Sequence, residues 1–330
     1  MSKKQRVKSI TVTILTESPI ALSNDQGTGT TYTPIKKYSF KDGLHAMTSV
    51  GTVTYEIKKK GFTDYNWKLN DLVVKDKNSK FKESEINYLE PDLFGFLIPD
   101  KQINKTSPLR IIPFVSINNF KNDTQLITNK GYFDRSLGRE YFNEKNEIIQ
   151  DFDKKTQALA NEEIFGDYYY YTITIELDRV GKSEVDSEGK YLLPKDQIYK
   201  EAENRKQMIK DLMNIISEFT RDIKHQTIHL KPLVVYGGIF KKTIPYFWND
   251  MKFKEGKLNI NVFNRTVEDY NLENEGFLIG AVDKERLSNE IVGNDEKLGD
   301  RPILAIKNIC KMIEEDKLTI GEDNFWYLEV

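Results

Sequence analysis

Strict alternation of apolar and polar residues in two segments predicts two half-buried β-strands. In residues 7–15 (VKSITVTIL), Ile10, Val12 and Ile14 fall on one face. In residues 168–177 (YYYYTITIEL), the alternation sets Tyr169, Tyr171, Ile173, Ile175 and Leu177 against Tyr168, Tyr170, Thr172, Thr174 and Glu176. Successive side chains of a strand point to opposite faces, so a period of two indicates a strand. A further apolar run that ends at Gly237–Gly238 predicts a third strand.

Two other segments repeat their apolar residues at three- and four-residue steps, which predicts two helices. The first helix has Asp42 as its N-cap and continues to about Lys59. Its apolar stripe is Ala46, Val50, Val53 and Ile57, and its polar stripe is His45, Ser49, Thr52 and Glu56. The second helix carries the apolar series Ile209, Leu212, Ile216, Phe219 and Ile223.

The order of these elements predicts an α+β fold. Residues 61–165 alternate polar clusters with short apolar pieces, which indicates inserted hairpins and loops rather than a compact core. Strand, loop, helix, long insertion, strand, helix and strand fit a β-α-β-β-α-β ferredoxin-like core, an arrangement that also underlies RNA-recognition modules. A chain of 330 residues exceeds the usual size of one domain, but one elaborated domain with large insertions accommodates this length.

Composition limits the environments in which the protein works. With 38% hydrophobic and 30% charged residues, the chain has material for a core and a strongly solvated surface. Its one cysteine, Cys310, cannot form a disulfide or a cysteine-ligated zinc site within the chain. The basic start MSKKQRVKS runs directly into a strand pattern, and no apolar run approaches the ~20 residues that span a bilayer. The sequence therefore predicts a cytoplasmic protein without membrane contact.

Charge is distributed unevenly along the chain, although the net charge is only −2. Residues 1–60 have ten Lys or Arg and four Asp or Glu, whereas residues 266–330 have seven and sixteen. A basic part of this kind suits contacts with phosphates, and the acidic part suits contacts with a basic surface of another subunit or copy. An ordinary solvated surface would explain the same distribution, so charge alone does not decide.

The polar loop between the first strand and the first helix has the residues that close contact with a nucleic-acid backbone requires. Glycines permit close approach of the main chain, small polar side chains donate and accept hydrogen bonds, and lysines neutralise phosphates. The candidates in residues 18–40 and just after them are Ser23, Asn24, Gln26, Gly27, Gly29, Thr28, Thr30, Lys36, Lys37 and Lys41. A second basic point is Lys241–Lys242, which precedes aromatic residues in 237-GGIFKKTIPYFW-248. Ordinary surface loops share these compositions.

Catalytic and metal-binding patterns are weak. His225 and His229 are four residues apart but leave a helix rather than lie on one, so we expect no zinc site. His45 could serve as the general base of a ribonuclease, but the sequence identifies no partner acid, and Asp25 is a single carboxylate in a polar loop. The Gly27–Gly29 pair lacks the third glycine of a dinucleotide fingerprint, and no nucleotide-hydrolysis motif is present. We therefore expect neither a cofactor nor catalysis.

Four segments together resemble the DevR-type backbone subunits of type I CRISPR surveillance complexes (Cascade), which belong to the RAMP superfamily. They are ITVTILTESPIALSNDQGTGT, IKKYSFKDGLHAMTSVGTVTYEI, DLFGF at 92–96 and DYYYYTITIELDRVG. The likeness is closest to subtype I-B and most specific in the first 60 residues.

The resemblance implies a modified RNA-recognition-motif palm (the RAMP fold) with large finger and thumb insertions. Residues 1–60 would form the first half of the palm, residues 61–165 the fingers and thumb, and residues 166–330 the second half with C-terminal elements. By the same analogy Ser23, Asn24, Gln26 and Thr28 would lie in the guide-binding loop, with His45 and Ser49 on the palm helix. Several copies would polymerise helically along the guide RNA (crRNA) beside other Cascade subunits, and the guide would pair with target DNA in antiviral defence.

The expected function is thus a non-catalytic RNA-binding subunit. The alternative is a RAMP-type endoribonuclease that acts on guide or target RNA, because backbone subunits of related RNA-targeting complexes cleave RNA with a loop aspartate. A transcriptional regulator is a third possibility, but no helix-turn-helix pattern supports it. RNA turnover would identify the ribonuclease, and protection of a specific DNA duplex would identify the regulator.

Overall fold

The computed structural model describes residues 4–23, 32–75, 78–81, 89–98, 103–128, 141–142, 148–149, 159–183, 190, 200–223, 226–251, 253–294 and 296–330. The helices are α1 Val50–Asp64, α2 Leu89–Phe94, α3 Ala202–Ser217, α4 Asn261–Asp269 and α5 Pro302–Glu314. The strands are β1 Lys4–Val7, β2 Ser9–Ser18, β3 Tyr32–Thr33, β4 Lys37–Phe40, β5 Gly43–Ala46, β6 Leu72–Lys75, β7 Asn78–Phe81, β8 Phe96–Ile98, β9 Ile103–Lys105, β10 Leu109–Ser116, β11 Thr124–Thr128, β12 Tyr141–Phe142, β13 Ile148–Ile149, β14 Leu159–Glu163, β15 Asp167–Glu176, β16 Thr220–Ile223, β17 Gln226–His229, β18 Val234–Phe240, β19 Phe253–Lys254, β20 Lys257–Asn259, β21 Gly276–Val282, β22 Ile291–Val292, β23 Leu318–Ile320 and β24 Trp326–Glu329.

Five strands form the central sheet in the order β10-β15-β2-β18-β21, and every neighbouring pair is antiparallel. The three strands that the sequence predicts, β2, β15 and β18, are adjacent in its middle. Along the chain, α1 connects β2 to β10, and α3 lies between β15 and β18. The fold is therefore a mixture of helices and strands, as predicted. Leu109–Ser116 (β10) lies within the segment predicted to hold insertions, yet it is part of this sheet.

Both faces of the sheet are buried, so the prediction of half-buried strands is wrong. Ile10 and Ile14 pack with residues of α1, α3 and α5 on one face, whereas Leu15 and Tyr170 pack with residues of α4 on the other. Buried threonines of β2 and β15 satisfy each other, because Thr13 Oγ1 lies 2.8 Å from Thr172 Oγ1. Cross-strand hydroxyl pairs of this kind allow polar residues to lie inside a covered sheet.

The first helix begins later than the sequence predicts. Residues 37–46 form the β4–β5 hairpin with Lys41 and Asp42 as its turn, so Asp42 is not an N-cap. Ser49 is the N-cap instead, and its Oγ accepts a hydrogen bond from the backbone N of Thr52. The hairpin removes His45 and Ala46 from the predicted helix.

The second predicted helix ends earlier, at Ser217. Phe219 follows it, and Ile223 lies in β16. Both remain in the core, because the chain turns back and β16 pairs with β17. Within the described residues, no helix combines the length and the apolar character that crossing a bilayer requires.

Candidate nucleic-acid interface

The β4–β5 hairpin and the start of α1 meet at one end of the central sheet. This is the end at which β2 finishes and where β10 finishes at Ser116, next to Tyr169 of β15. Backbone hydrogen bonds join the pieces, since Thr48 N donates to Phe114 O (2.9 Å) and Met47 N donates to Lys36 O (3.0 Å). The predicted loop follows β2 at this end. Its candidates Asn24, Gln26, Gly27 and Thr28, with Gly29, Thr30 and Asp25, lie outside the described residues.

Ser23 is described, and it faces inward. Its side chain is 4% exposed, and its Oγ accepts a hydrogen bond from Lys36 N at 3.3 Å. This bond joins the segment that follows β2 to the segment that precedes β4. Ser23 therefore closes the base of the loop.

Glu163 of β14 anchors the returning segment, residues 32–37, although no motif in the sequence points to this residue. Its carboxylate accepts hydrogen bonds from Lys37 Nζ (2.6 and 2.7 Å), from Ile35 N (2.7 Å) and from the Tyr32 hydroxyl. Burial opposes ionisation of this carboxyl, but the three donors outweigh burial and hold the pKa of Glu163 below its ordinary value. The Lys37 charge is thus neutralised internally, with its Nζ 4.4 Å from the centre of the Phe120 ring.

His45 does not lie on a helix, so its predicted place on the palm helix is wrong. It is in β5, 5% exposed, with Nδ1 donating to Ser116 O (2.8 Å) and Nε2 3.3 Å from Asp42 Oδ1. Both ring nitrogens therefore face protein oxygens. The adjoining cavity has a volume of about 70 Å³, room for about two waters. The residue braces the hairpin against β10.

Two other members of the predicted polar stripe are also buried, Thr52 at 7% and Glu56 at 5% exposure. Glu56 Oε1 pairs with Arg221 Nη1 at 2.5 Å, and Arg221 Nε donates to Leu22 O at 3.1 Å. Because Leu22 precedes Ser23, this pair holds the segment that leaves β2. The polar stripe therefore stabilises the interior of the site.

The start of α1 is suited to anions. Its first turn has no acidic residue, and Val50 is 45% exposed. Unpaired N–H groups and the helix dipole give such an end partial positive charge. The accessible face of the helix beyond it is formed by Gly51, Tyr55, Lys59 and Phe62.

Lys36 and Lys41 are the predicted cations that solvent reaches at this end of the sheet. Lys41 is exposed at the hairpin turn, and Lys36 is half-buried beside Ser23. Neither forms an ion pair with another residue in the described ranges. The geometry brings Ser23, Lys36 and Lys37 to the base of the hairpin near Ser49, whereas Lys41 lies at the hairpin turn next to the exposed carboxylate of Asp42.

Lys241 and Lys242 lie at the opposite end of the sheet. They follow Phe240, which pairs with Ser9 at the start of β2, so the ten residues of β2 separate them from the loop. At ~3.3 Å per residue this separation is roughly 30 Å. Lys241 Nζ donates to Asn274 O (2.9 Å), and Lys242 Nζ lies 3.4 Å from Glu275 Oε1.

Metal ligands are not grouped in the part of the chain that the structure describes. No cluster of three or more His, Cys, Asp or Glu residues suited to an ion occurs there. His229 lies in β17, and His225 and Asp25 are outside the described residues.

Comparisons with known proteins agree with the motifs and with the fold. The family model described as "CRISPR-associated negative auto-regulator DevR/Csa2" matches residues 16–247. No curated protein sequence matches the chain. A solved chain titled "CRISPR RNA-guided surveillance complex, pre-nicking" is similar in fold with a TM-score of 0.54 at 9% identity, over 92% of this chain and 100% of that chain. Another, titled "CRISPR RNA-guided surveillance complex", gives 0.52 at 11% identity, over 93% and 99%.

Proposed function

This chain belongs to the CRISPR-associated DevR/Csa2 family, and from that membership we propose that it is a non-catalytic backbone subunit of a type I CRISPR surveillance complex, of subtype I-B, that binds the guide RNA. Copies of the chain polymerise along the guide beside other Cascade subunits in the cytoplasm. The guide then pairs with target DNA, so base pairing and not the protein reads sequence.

One observation carries the RNA-binding proposal: an accessible cationic surface with no acidic residue in the first turn of α1. Lys36 and the start of α1 lie at the base of the β4–β5 hairpin and Lys41 lies at its turn, at the end of the sheet where β2 finishes. Phosphates are the ligands that lysines and helix starts bind through charge and backbone donors, independently of base sequence. A subunit that coats guides of different sequence requires this kind of contact.

The order of the strands supports the RAMP palm. Taken along the chain, β2, α1, β10, β15, α3 and β18 follow the β-α-β-β-α-β order, and β15 lies between β2 and β10 as in a split βαβ unit. β21 extends the sheet beyond β18. Residues 61–165 supply the fingers and thumb in this proposal, apart from β10.

The surroundings of His45 favour a non-catalytic subunit over the ribonuclease alternative. A general base needs a ring nitrogen within reach of the substrate proton. Both nitrogens of His45 face protein oxygens, since Nδ1 donates to Ser116 O and Nε2 lies 3.3 Å from Asp42 Oδ1. Asp42 lies next to Lys41 with its side chain exposed, but its carboxylate and the His45 ring engage each other through this contact, so we assign the site to binding.

Titration of a labelled single-stranded RNA, at several salt concentrations, tests the proposal. Wild type should bind with a steep salt dependence and little sequence preference, and the RNA should stay intact. Lys36→Ala with Lys41→Ala should weaken binding and reduce the slope of log K against log salt by about 1.4, because each lost phosphate contact of a single strand removes about 0.7.

The matched control is Lys311→Ala with Lys317→Ala. It removes the same charge from two exposed lysines that both lie beside Glu315. Equal losses in the two double variants would mean that net charge, and not this surface, determines binding. A wild type that prefers a specific DNA duplex, as the regulator named in the family description would, or that degrades the RNA, would overturn the proposal.

A further inference from the structure

Two buried charged clusters hold the two segments of chain that flank residues 24–31. On the segment that leaves β2, Arg221 binds the carbonyl of Leu22 and pairs with Glu56, and both charged side chains are at most 5% exposed. On the returning segment, Glu163 is 4% exposed and binds Tyr32, Ile35 and Lys37. The bond from Lys36 N to Ser23 Oγ joins the two segments.

Burying charges in this way is a costly means of stabilising a fold. Removal of two ions from water opposes folding, and apolar packing of similar volume is often as stable or more so. What buried, multiply hydrogen-bonded charges provide is fixed geometry, because each lone pair and each donor has one direction. Glu163 uses its oxygens on three separate groups within six residues of one segment.

The geometry points to Glu163 and Arg221 as positioning residues of the RNA interface. They fix the two segments so that Lys36 lies beside Met47 and the start of α1, and RNA affinity depends on them although neither contacts RNA. This inference rests on the proposed function. It adds two residues that neither the motifs nor charge along the chain identifies.

Glu163 also couples the interface to the predicted insertions. β14, which carries Glu163, pairs with β11 on one side and in parallel with β3 on the other. Asn161 and Glu162 are the partners of Tyr32 and Thr33. A displacement of the paired strands β11 and β14 therefore moves the returning segment, residues 32–37.

Glu163→Gln tests the inference, because its change in charge should raise RNA affinity whereas the loss of fixed geometry should lower it. The substitution keeps the shape, removes a negative charge and releases the ammonium of Lys37, and each of these charge changes should strengthen RNA binding. A loss of affinity can then arise only from misplaced groups. We expect affinity to fall about tenfold at a temperature where the variant is folded, because pre-organisation is lost. Without RNA, amide exchange in residues 32–37 should accelerate about tenfold.

Asp92→Asn is the matched control. Asp92 is fully buried, pairs with Lys105 at 2.5 Å and accepts a hydrogen bond from Gly181 N. Its cluster lies at the opposite end of β2, where Leu177 N donates to Lys8 O. This control also loses one buried negative charge, and it should lower stability without a loss of RNA affinity or faster exchange in residues 32–37.

Tyr32→Phe is the milder variant if Glu163→Gln does not fold. It removes only the hydroxyl that binds Glu163, and it should accelerate exchange in the same peptide and weaken RNA binding to a smaller extent. Unchanged affinity and exchange in the folded Glu163 or Tyr32 variant, with a wild type that binds RNA, would refute the positioning role alone. A wild type that does not bind RNA would instead refute the proposed function.

Discussion

Cys310 has the environment of an inert thiol. It is 8% exposed in α5 and lies near the Lys210 carbonyl and the Asn214 side chain. Burial, with a contribution from Glu314, raises its pKa to about 11. Since the thiolate is the reactive form, the native protein should react with a thiol reagent at pH 8 about a hundredfold more slowly than the chain in urea.

The same shift gives a pH dependence. The folded-state pKa is above the ordinary thiol value of 9.0, so the contribution of the neutral thiol to stability is complete below about pH 9 and is lost as the pH rises toward 11. Labelling of the native protein at the rate of the unfolded chain would contradict this description of the α3–α5 contact.

At the residue scale, the sequence identifies which side chains carry charge but not which of them form ion pairs inside the protein. Lys36 and Lys37 are indistinguishable by position. Only the fold pairs Lys37 with Glu163, 126 residues later. Arg221 reaches Leu22 across 199 residues. Such partners belong to tertiary structure, so no local pattern could have revealed them.

At the element scale, the last turn of α1 packs closely against the ring of Trp67. A Cβ atom on Gly61 would lie 2.1 Å from the Trp67 ring, which is 3% exposed and donates from Nε1 to Asp211 Oδ2 at 2.9 Å. Gly61→Ala must therefore displace the indole and break this bond. The gain in helix propensity is about 1 kcal/mol, but overpacking and the unpaired carboxylate together cost more, so we expect a net loss of about 2 kcal/mol in urea unfolding.

Gly51→Ala is the control within the same helix. The nearest atom to its added Cβ is Ser49 Oγ at 3.6 Å, an ordinary contact, and the position is exposed. Stability should stay the same or rise by up to about 1 kcal/mol. Similar unfolding midpoints for the two alanine variants would show that Trp67 does not occupy the place described.

Sequence patterns did not predict the element boundaries or two strands of the central sheet, for a physical reason. β10 and β21 lie at the edges of a sheet with both faces covered, and their sequences, LRIIPFVS and GFLIGAV, lack the period of two. Many of their residues are only partly buried, and apolar residues occupy both faces, so periodicity alone does not separate these runs from loop or helix. The hairpin at residues 37–46 mimicked a helix start because Asp42 and Ser49 are both good caps.

On the scale of the whole molecule, the two ends of the described chain close on each other. β1 pairs with β24, and the Arg6 guanidinium lies 3.5 Å from the centre of the Phe325 ring. The four segments that resemble DevR-type subunits were sufficient to identify the family, and two of them contain the adjacent strands β2 and β15. Contact between the acidic final 65 residues and a basic surface of another copy or another subunit stays a prediction.

The most direct test of the central claim is to purify the protein from cells without nuclease treatment. Particle mass, the 260/280 nm absorbance ratio and the lengths of any extracted RNA would be measured together. A guide-coating subunit should yield large particles that contain intact RNA in regular length increments, and Lys36→Ala with Lys41→Ala should reduce the RNA content. A monomer free of nucleic acid that leaves added single-stranded RNA unbound, or one that degrades it, would contradict the account.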